Sequence, residues 1–260
     1  MTAPGSLGLR IVSALVLIPV ALAAVWFGGA WLALLVAAAG AAMAWEWGRL
    51  AASGSTVRQA IIVAAVVGAI AAAAFGRFDI ALIVLAVGGI ASALAPRDGI
   101  WTGIGTAWIA GGTIAFLWLG IGGRNALFFI LAVTWASDSL AYAAGKVLGG
   151  PKLAPRLSPN KTWAGGVGGL LGAAIIGIAA SIFAQTSVAK YLILGLFLGL
   201  CAQAGDLAES LAKRHFGVKD ASSLIPGHGG FLDRLDGLIA VAVAAGLLTA
   251  FHAISLIEID

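Results

Sequence analysis

Cysteine is almost missing from this 260-residue chain; Cys201 stands alone inside an apolar segment, which excludes a disulfide framework. Histidine is also sparse, at the scattered positions His215, His228 and His252, so no zinc-ligand spacing can be drawn. Charge is scarce: 10% of the residues are Asp, Glu, Lys or Arg, against about 25% in a soluble domain. No internal repeat of fixed period stands out, so residues 1–260 read as one domain. The bulk of the chain is apolar, at 61% hydrophobic residues and a mean hydropathy of +1.06. That is the composition of an integral membrane protein. A pI near 9.6 would suggest nucleic acid in a soluble protein. Here the basic residues sit in short loops, where they set topology, and no nucleic-acid partner is expected.

A membrane-crossing helix needs roughly 20 mostly apolar residues. That rule predicts an all-α, polytopic bundle of nine spans near 10–28, 30–50, 58–76, 78–96, 100–121, 124–147, 163–184, 189–209 and 235–255. Arg10 followed by IVSALVLIPVALAAV imitates a secretory signal, but the many later spans predict a retained first helix. With an odd number of spans, 12 Lys and Arg fall on the N-terminal face and three (Arg77, Arg124 and Lys190) on the other. The positive-inside rule then puts the N-terminus in the cytoplasm and Glu258 and Asp260 outside. Residues 1–121 read as scaffold helices and 122–260 as the part that carries chemistry. Trp26, Trp31, Trp45, Trp47, Trp101, Trp118 and Trp163 lie near predicted helix ends, as an interfacial belt would. Gly165, Gly166, Gly168, Gly169 and Gly172 open the seventh span, and small residues so spaced let helices approach closely.

Against this background residues 205–236, GDLAESLAKRHFGVKDASSLIPGHGGFLDRLD, are dense in charge. Ionisable groups at membrane depth are costly and mark function. Asp206, Glu209, Ser210, Lys213 and Arg214 fall at i, i+3, i+4, i+7 and i+8, on one helical face. The blander reading of Glu209 with Lys213 is an exposed i,i+4 pair worth about 0.3–0.5 kcal/mol. Next come Lys219, Asp220, Ser222 and Ser223, then IPGHGG around His228, then Asp233, Arg234 and Asp236. Pro226 and Gly227 favour a turn, and successive backbone N–H groups in such a turn form a concave anion site. His228 either positions phosphate or holds the turn.

Asp206 and Asp233 belong to different helices and are placed to converge on one hard divalent cation such as Mg²⁺, which takes carboxylates, phosphates and water. A second polar loop, Lys146 to Thr162, adds Lys152, Arg156 and the run S-P-N-K-T-W from Ser158 to Trp163. Asp138, in WASDSLAY within the sixth span, is either part of this site or a helix-to-helix hydrogen-bonding group. Carboxylates for a metal beside cations for phosphates serve phosphoryl or nucleotidyl transfer, which works mainly by positioning and neutralisation.

The run S-L-A-K-R-x4-K-D-x-S-x2-I-P-G-H-G-G-F-L-D-R-L-D, Ser210 to Asp236, resembles the signature of the phosphatidate cytidylyltransferase (CDP-diacylglycerol synthase) family. L-S-P-N-K-T-W and W-A-S-D-S-L-A-Y resemble further blocks of that family, extending the similarity over roughly the C-terminal half; Trp45-Glu46-Trp47 is a faint echo upstream. Ala164 stands where the family usually has Glu, which puts a role for that carboxylate in doubt. The resemblance implies a membrane-embedded helical enzyme, dimeric, in the bacterial inner membrane with its site facing the cytoplasm. It implies that CTP and phosphatidic acid give CDP-diacylglycerol and pyrophosphate with Mg²⁺, a second cation being left open. On this reading Asp206 and Asp233 hold Mg²⁺ while Glu209 and Asp236 complete or orient its shell. Lys161, Lys213, Arg214, Lys219 and Arg234 neutralise phosphates, Ser158 and Ser210 add hydrogen bonds, and Asp138, Thr162, Asp220, His228 and Gly229 contribute to substrate binding.

Three other readings compete. One uses the same fold and CTP with another lipid phosphate, because the helix faces that choose the tails are plain apolar surfaces. A CDP-alcohol phosphotransferase would need a D-G-x2-A-R…G-x3-D-x3-D pattern, which is absent. A transporter would favour inverted repeats with broken helices, and no such symmetry is visible.

Overall fold

The structure, a computed structural model, describes residues 6–52, 54–95, 97–225 and 229–251. Pro226, Gly227 and His228 in the turn, and His252, Glu258 and Asp260 at the C-terminal end, lie outside these described residues, as does the side chain of Arg10.

Among the described residues nine helices follow one another: α1 (Ser6–Phe27), α2 (Gly29–Ala51), α3 (Thr56–Ala74), α4 (Phe78–Ala93), α5 (Gly99–Ile121), α6 (Arg124–Val147), α7 (Trp163–Phe183), α8 (Val188–His215) and α9 (Leu232–Ala250). Each coincides with a segment expected from hydropathy. Six of them (α2, α3, α5, α6, α7 and α8) are long and apolar enough to cross a membrane. α4 is shorter, and α9 opens with Asp233, Arg234 and Asp236. The protein is an integral membrane protein.

Local chemistry accounts for several helix ends. Ser55, Thr162 and Ser187 cap α3, α7 and α8, each side chain accepting a hydrogen bond from the backbone N–H three residues on. Buried hydroxyls need partners where water is absent. Thr106, Thr113, Thr134 and Thr249 each donate to the carbonyl four residues back in their own helix, so they add no unpaired group to the interior.

The core runs through α2, α3, α5, α6 and α8, with Met43, Ile70, Ile109, Leu119, Ile130 and Leu198 among its fully buried side chains. Lipid tails are as apolar as these residues, so helices associate by close packing rather than by expulsion of water. α7 shows how. A Cβ on Gly168 would lie 2.8 Å from the Leu140 carbonyl oxygen, and one on Gly172 2.5 Å from that of Ala136. The glycine stripe of the seventh span is therefore an intramolecular seam against α6.

Two features differ from the sequence expectation. The polar loop before α7 folds into a hairpin, β1 (Lys152–Ala154) antiparallel to β2 (Ser158–Thr162). Trp47 is no interfacial anchor: it is buried, its indole Nε1 donates to the Thr102 carbonyl at 3.1 Å, and it packs where Gly105 leaves room. Trp26, Trp31 and Trp163 are exposed, as anchors would be.

Candidate functional site

α8 extends six residues past the predicted end at 209, so its charged tail stays helical to His215 and faces the start of α9. This brings Asp206, Glu209 and Lys213 of α8 together with Asp233 and Asp236 of α9. Lys213 is the bridge: its ammonium lies 2.9 Å from Glu209 Oε2 and 2.6 Å from Asp233 Oδ1, and its side chain is only 13% exposed. The Glu209–Lys213 pair is thus an i,i+4 pair, as anticipated, but an interior one. Lys161, delivered by β2, closes the other side at 2.6 Å from Asp206 Oδ2.

The carboxylates divide into two groups. Asp233 is saturated by the protein itself: besides Lys213 it accepts from the backbone N–H groups of Gly230 at 2.9 Å and Ala221 at 3.1 Å. Asp206, Glu209 and Asp236 instead each turn an oxygen toward a common point, all within 4.8 Å of one another. At that separation each pair of charges repels by roughly 3 kcal/mol at an effective dielectric constant of about 20. Glu209 Oε1 is buried without a hydrogen-bond partner. Three converging carboxylates with an orphaned oxygen are a donor set suited to a hard divalent cation. All four acids of the metal set expected from sequence, Asp206, Asp233, Glu209 and Asp236, thus line one cavity; Asp206, Glu209 and Asp236 form the tight group, and Asp233 sits beside it, engaged by Lys213 and two backbone N–H groups.

These groups line a cavity of about 1000 Å³. Its described lining carries six acids (Asp138, Asp206, Glu209, Asp220, Asp233 and Asp236) and four bases (Lys146, Lys161, Lys213 and Arg234), a formal net charge of −2. The lining is also rich in apolar side chains, among them Leu17, Ile18 and Val25 of α1, Val36 and Met43 of α2, and Phe116 of α5. Thr162 lines the space too while capping α7 through the Gly165 N–H.

Other predicted residues lie outside the lining. Arg214 donates to the Leu157 carbonyl at 3.2 Å and that of Val218 at 3.3 Å, tying the hairpin to the end of α8. Lys219 is exposed, and Ser158, Ser210 and Gly229 do not line the cavity. Ala164, where an acid was expected, sits in the first turn of α7 and is likewise not part of the lining.

Sequence reasoning missed three polar residues. Gln203 lines the cavity one turn before Asp206 and donates to the Gly166 carbonyl at 3.0 Å; Asn160 lines it from β2. Glu46, deep in α2, is fully buried and accepts hydrogen bonds from Ser222 Oγ, Phe231 N and Leu232 N. The available signal was simple: Glu46 and Gln203 are polar residues inside apolar spans.

Fold and site together define a polytopic membrane protein in which one cavity is lined both by an ion-paired, carboxylate-rich group and by apolar side chains. A sequence profile of the Cytidylyltransferase family matches residues 8–252. The phosphatidate cytidylyltransferase of Brucella abortus is 40% identical over 259 residues, covering 94% of this chain and 93% of its own length. That of Staphylococcus aureus is 41% identical over 128 residues, covering 48% of this chain and 49% of its own. The chain belongs to the cytidylyltransferase family, and is accordingly a nucleotidyltransferase. The similarity reaches well beyond the C-terminal half in which the motifs were recognised.

Proposed function

We propose that this protein transfers CMP from CTP to phosphatidic acid, giving CDP-diacylglycerol and pyrophosphate, in an Mg²⁺-dependent reaction of phospholipid synthesis. The mixed lining of the cavity carries the reading. A lipid phosphate must present its headgroup to charged groups while its tails stay among apolar ones, and here one cavity is lined by both. The relatives' names supply the nucleotide and the lipid.

The chemistry suits these residues. A phosphate monoester has its second pKa near 6, so the lipid headgroup is largely a dianion at neutral pH and needs no strong base. One of its oxygens forms a bond to the α-phosphorus of CTP. The bond from that phosphorus to the bridging oxygen breaks, and its electron pair leaves with pyrophosphate. The obstacle is repulsion between two polyanions, so positioning and neutralisation are the enzyme's task. Asp206, Glu209 and Asp236 would hold Mg²⁺, which supplies charge neutralisation on the phosphates. Lys161, Lys213 and Arg234, which line the same cavity, would neutralise the phosphate oxygens. Asp233 keeps the Lys213 ammonium in place, and would ligate a second cation only on releasing it.

Nine crossings with the N-terminus, the hairpin and the α8–α9 loop in the cytoplasm complete the reading, on the 12-to-3 distribution of Lys and Arg. It includes a homodimer in the bacterial inner membrane. The test is to incubate purified protein with labelled CTP, phosphatidic acid and Mg²⁺. Pyrophosphate should appear in step with CDP-diacylglycerol. Turnover with a polyprenyl phosphate and none with phosphatidic acid would reassign the lipid.

A further inference from the structure

We propose that Glu46 is a positioning residue for the transfer site, acting from the scaffold half of the chain on the turn that launches α9. Resting on the reading of the cavity as the transfer site, it concerns a residue that touches no reacting group.

α9 begins without a side-chain cap of its own: Phe231, at the capping position, offers none. The first N–H groups of a helix need acceptors. Glu46 provides them from 185 residues away in sequence, Oε1 accepting from Phe231 N at 2.9 Å and Oε2 from Leu232 N at 2.8 Å. Ser222 Oγ also donates to Oε1. Gly230 makes the approach possible, since a Cβ there would lie 2.8 Å from both Glu46 oxygens.

Among the described residues no Lys, Arg or His lies within ion-pair distance of this carboxylate. A buried charge is costly unless compensated. Here the compensation comes from the helix N-terminus and its N–H groups, so the carboxylate and the ordered turn stabilise each other.

The donors alternate. Ala221 N and Gly230 N go to Asp233, whereas Ser222 Oγ, Phe231 N and Leu232 N go to Glu46. Both strands of the turn are therefore clamped between two carboxylates, one of which also grips Lys213 at 2.6 Å. Removing Glu46 frees the turn, and Asp233 and Asp236 of α9 lose their register with Lys213 and Glu209 of α8.

Misplacement of about 1 Å costs on the order of 100-fold in rate. Glu46→Gln, which turns an N–H₂ toward backbone donors, should lower kcat by about that factor while the KM for lipid stays within about threefold. Glu46→Asp, which keeps the charge, should recover part of the loss. In the wild-type protein the amides of Phe231 and Leu232 should be protected from hydrogen exchange, and in Glu46→Gln they should exchange at least about tenfold faster. A folded Glu46→Gln protein with kcat within about twofold of wild type would overturn the proposal, as would unprotected amides in the wild type. If neither Glu46 variant folds, Gly230→Ala presses on the same carboxylate and should lower kcat about tenfold; normal kcat there would also overturn it. A wild-type protein with no turnover would sink the functional reading instead, and amide protection would then decide the role of Glu46 alone.

Discussion

Replacing Lys213 with methionine removes the charge that holds the two site helices together, and the structure sets the size of the effect. The Lys213 side chain is 13% exposed and its ammonium lies 2.9 Å from Glu209 and 2.6 Å from Asp233, whose side chains are 6% and 7% exposed. Removing one partner of a buried ion pair costs about 3–5 kcal/mol, because the remaining charge is stranded. Here two carboxylates are stranded, while methionine keeps most of the side chain's packing. At about 2–4 °C per kcal/mol for a chain of this size, the apparent melting temperature in detergent should fall by about 10 °C, and transfer should be abolished. The diagnostic step is Asp233→Asn in the Lys213→Met background, which removes one stranded charge. The double variant should melt above Lys213→Met, although Asp233→Asn alone melts below wild type. A Lys213→Met protein melting within about 2 °C of wild type, or a double variant showing the plain sum of the two losses, would refute the account of Lys213 as the bridge.

Asp206→Asn should eliminate pyrophosphate release while leaving folding intact, because the carboxylate is partly exposed at the cavity and its ion pair among the described residues is with Lys161 alone; near-normal turnover would count against the carboxylate cluster. Gly172→Val forces a side chain against the Ala136 carbonyl, where even a Cβ would lie 2.5 Å away, and should destabilise the α6–α7 seam by about 1–3 kcal/mol or more in thermal melts. Arg214→Ala should reduce turnover less than about fivefold, since its guanidinium holds the Leu157 and Val218 carbonyls rather than lining the cavity. A loss as large as that of Asp206→Asn would restore Arg214 to the phosphate-binding set.

Hydropathy made the helices legible because a membrane span writes its length directly into an apolar run. What it concealed was where polar segments stay ordered. The α8 helix continues to His215 because its acids and bases find partners on α9 and β2, a tertiary effect that no window of apolar residues reports. The Lys146–Thr162 loop hides a short hairpin for the same reason. Within the site, helical spacing put Asp206, Glu209 and Lys213 on one face. It did not reveal that Asp233 is taken by Lys213 and two backbone N–H groups, leaving Asp236 to face Asp206 and Glu209. Glu46 was hardest to read, because its partners lie far along the chain and are largely backbone, which carries no residue signature.

The central claim, that Asp206, Glu209 and Asp236 hold the cation on which transfer depends, is tested most directly by pyrophosphate release as free Mg²⁺ is titrated, in wild type and in Glu209→Gln. Wild type should be silent in chelator and saturate with Mg²⁺. Glu209→Gln should need at least about tenfold more Mg²⁺ for half-maximal rate, the scale expected when charge in a metal's surroundings is lost. Full activity in chelator, or superimposable titrations for the two proteins, would contradict it.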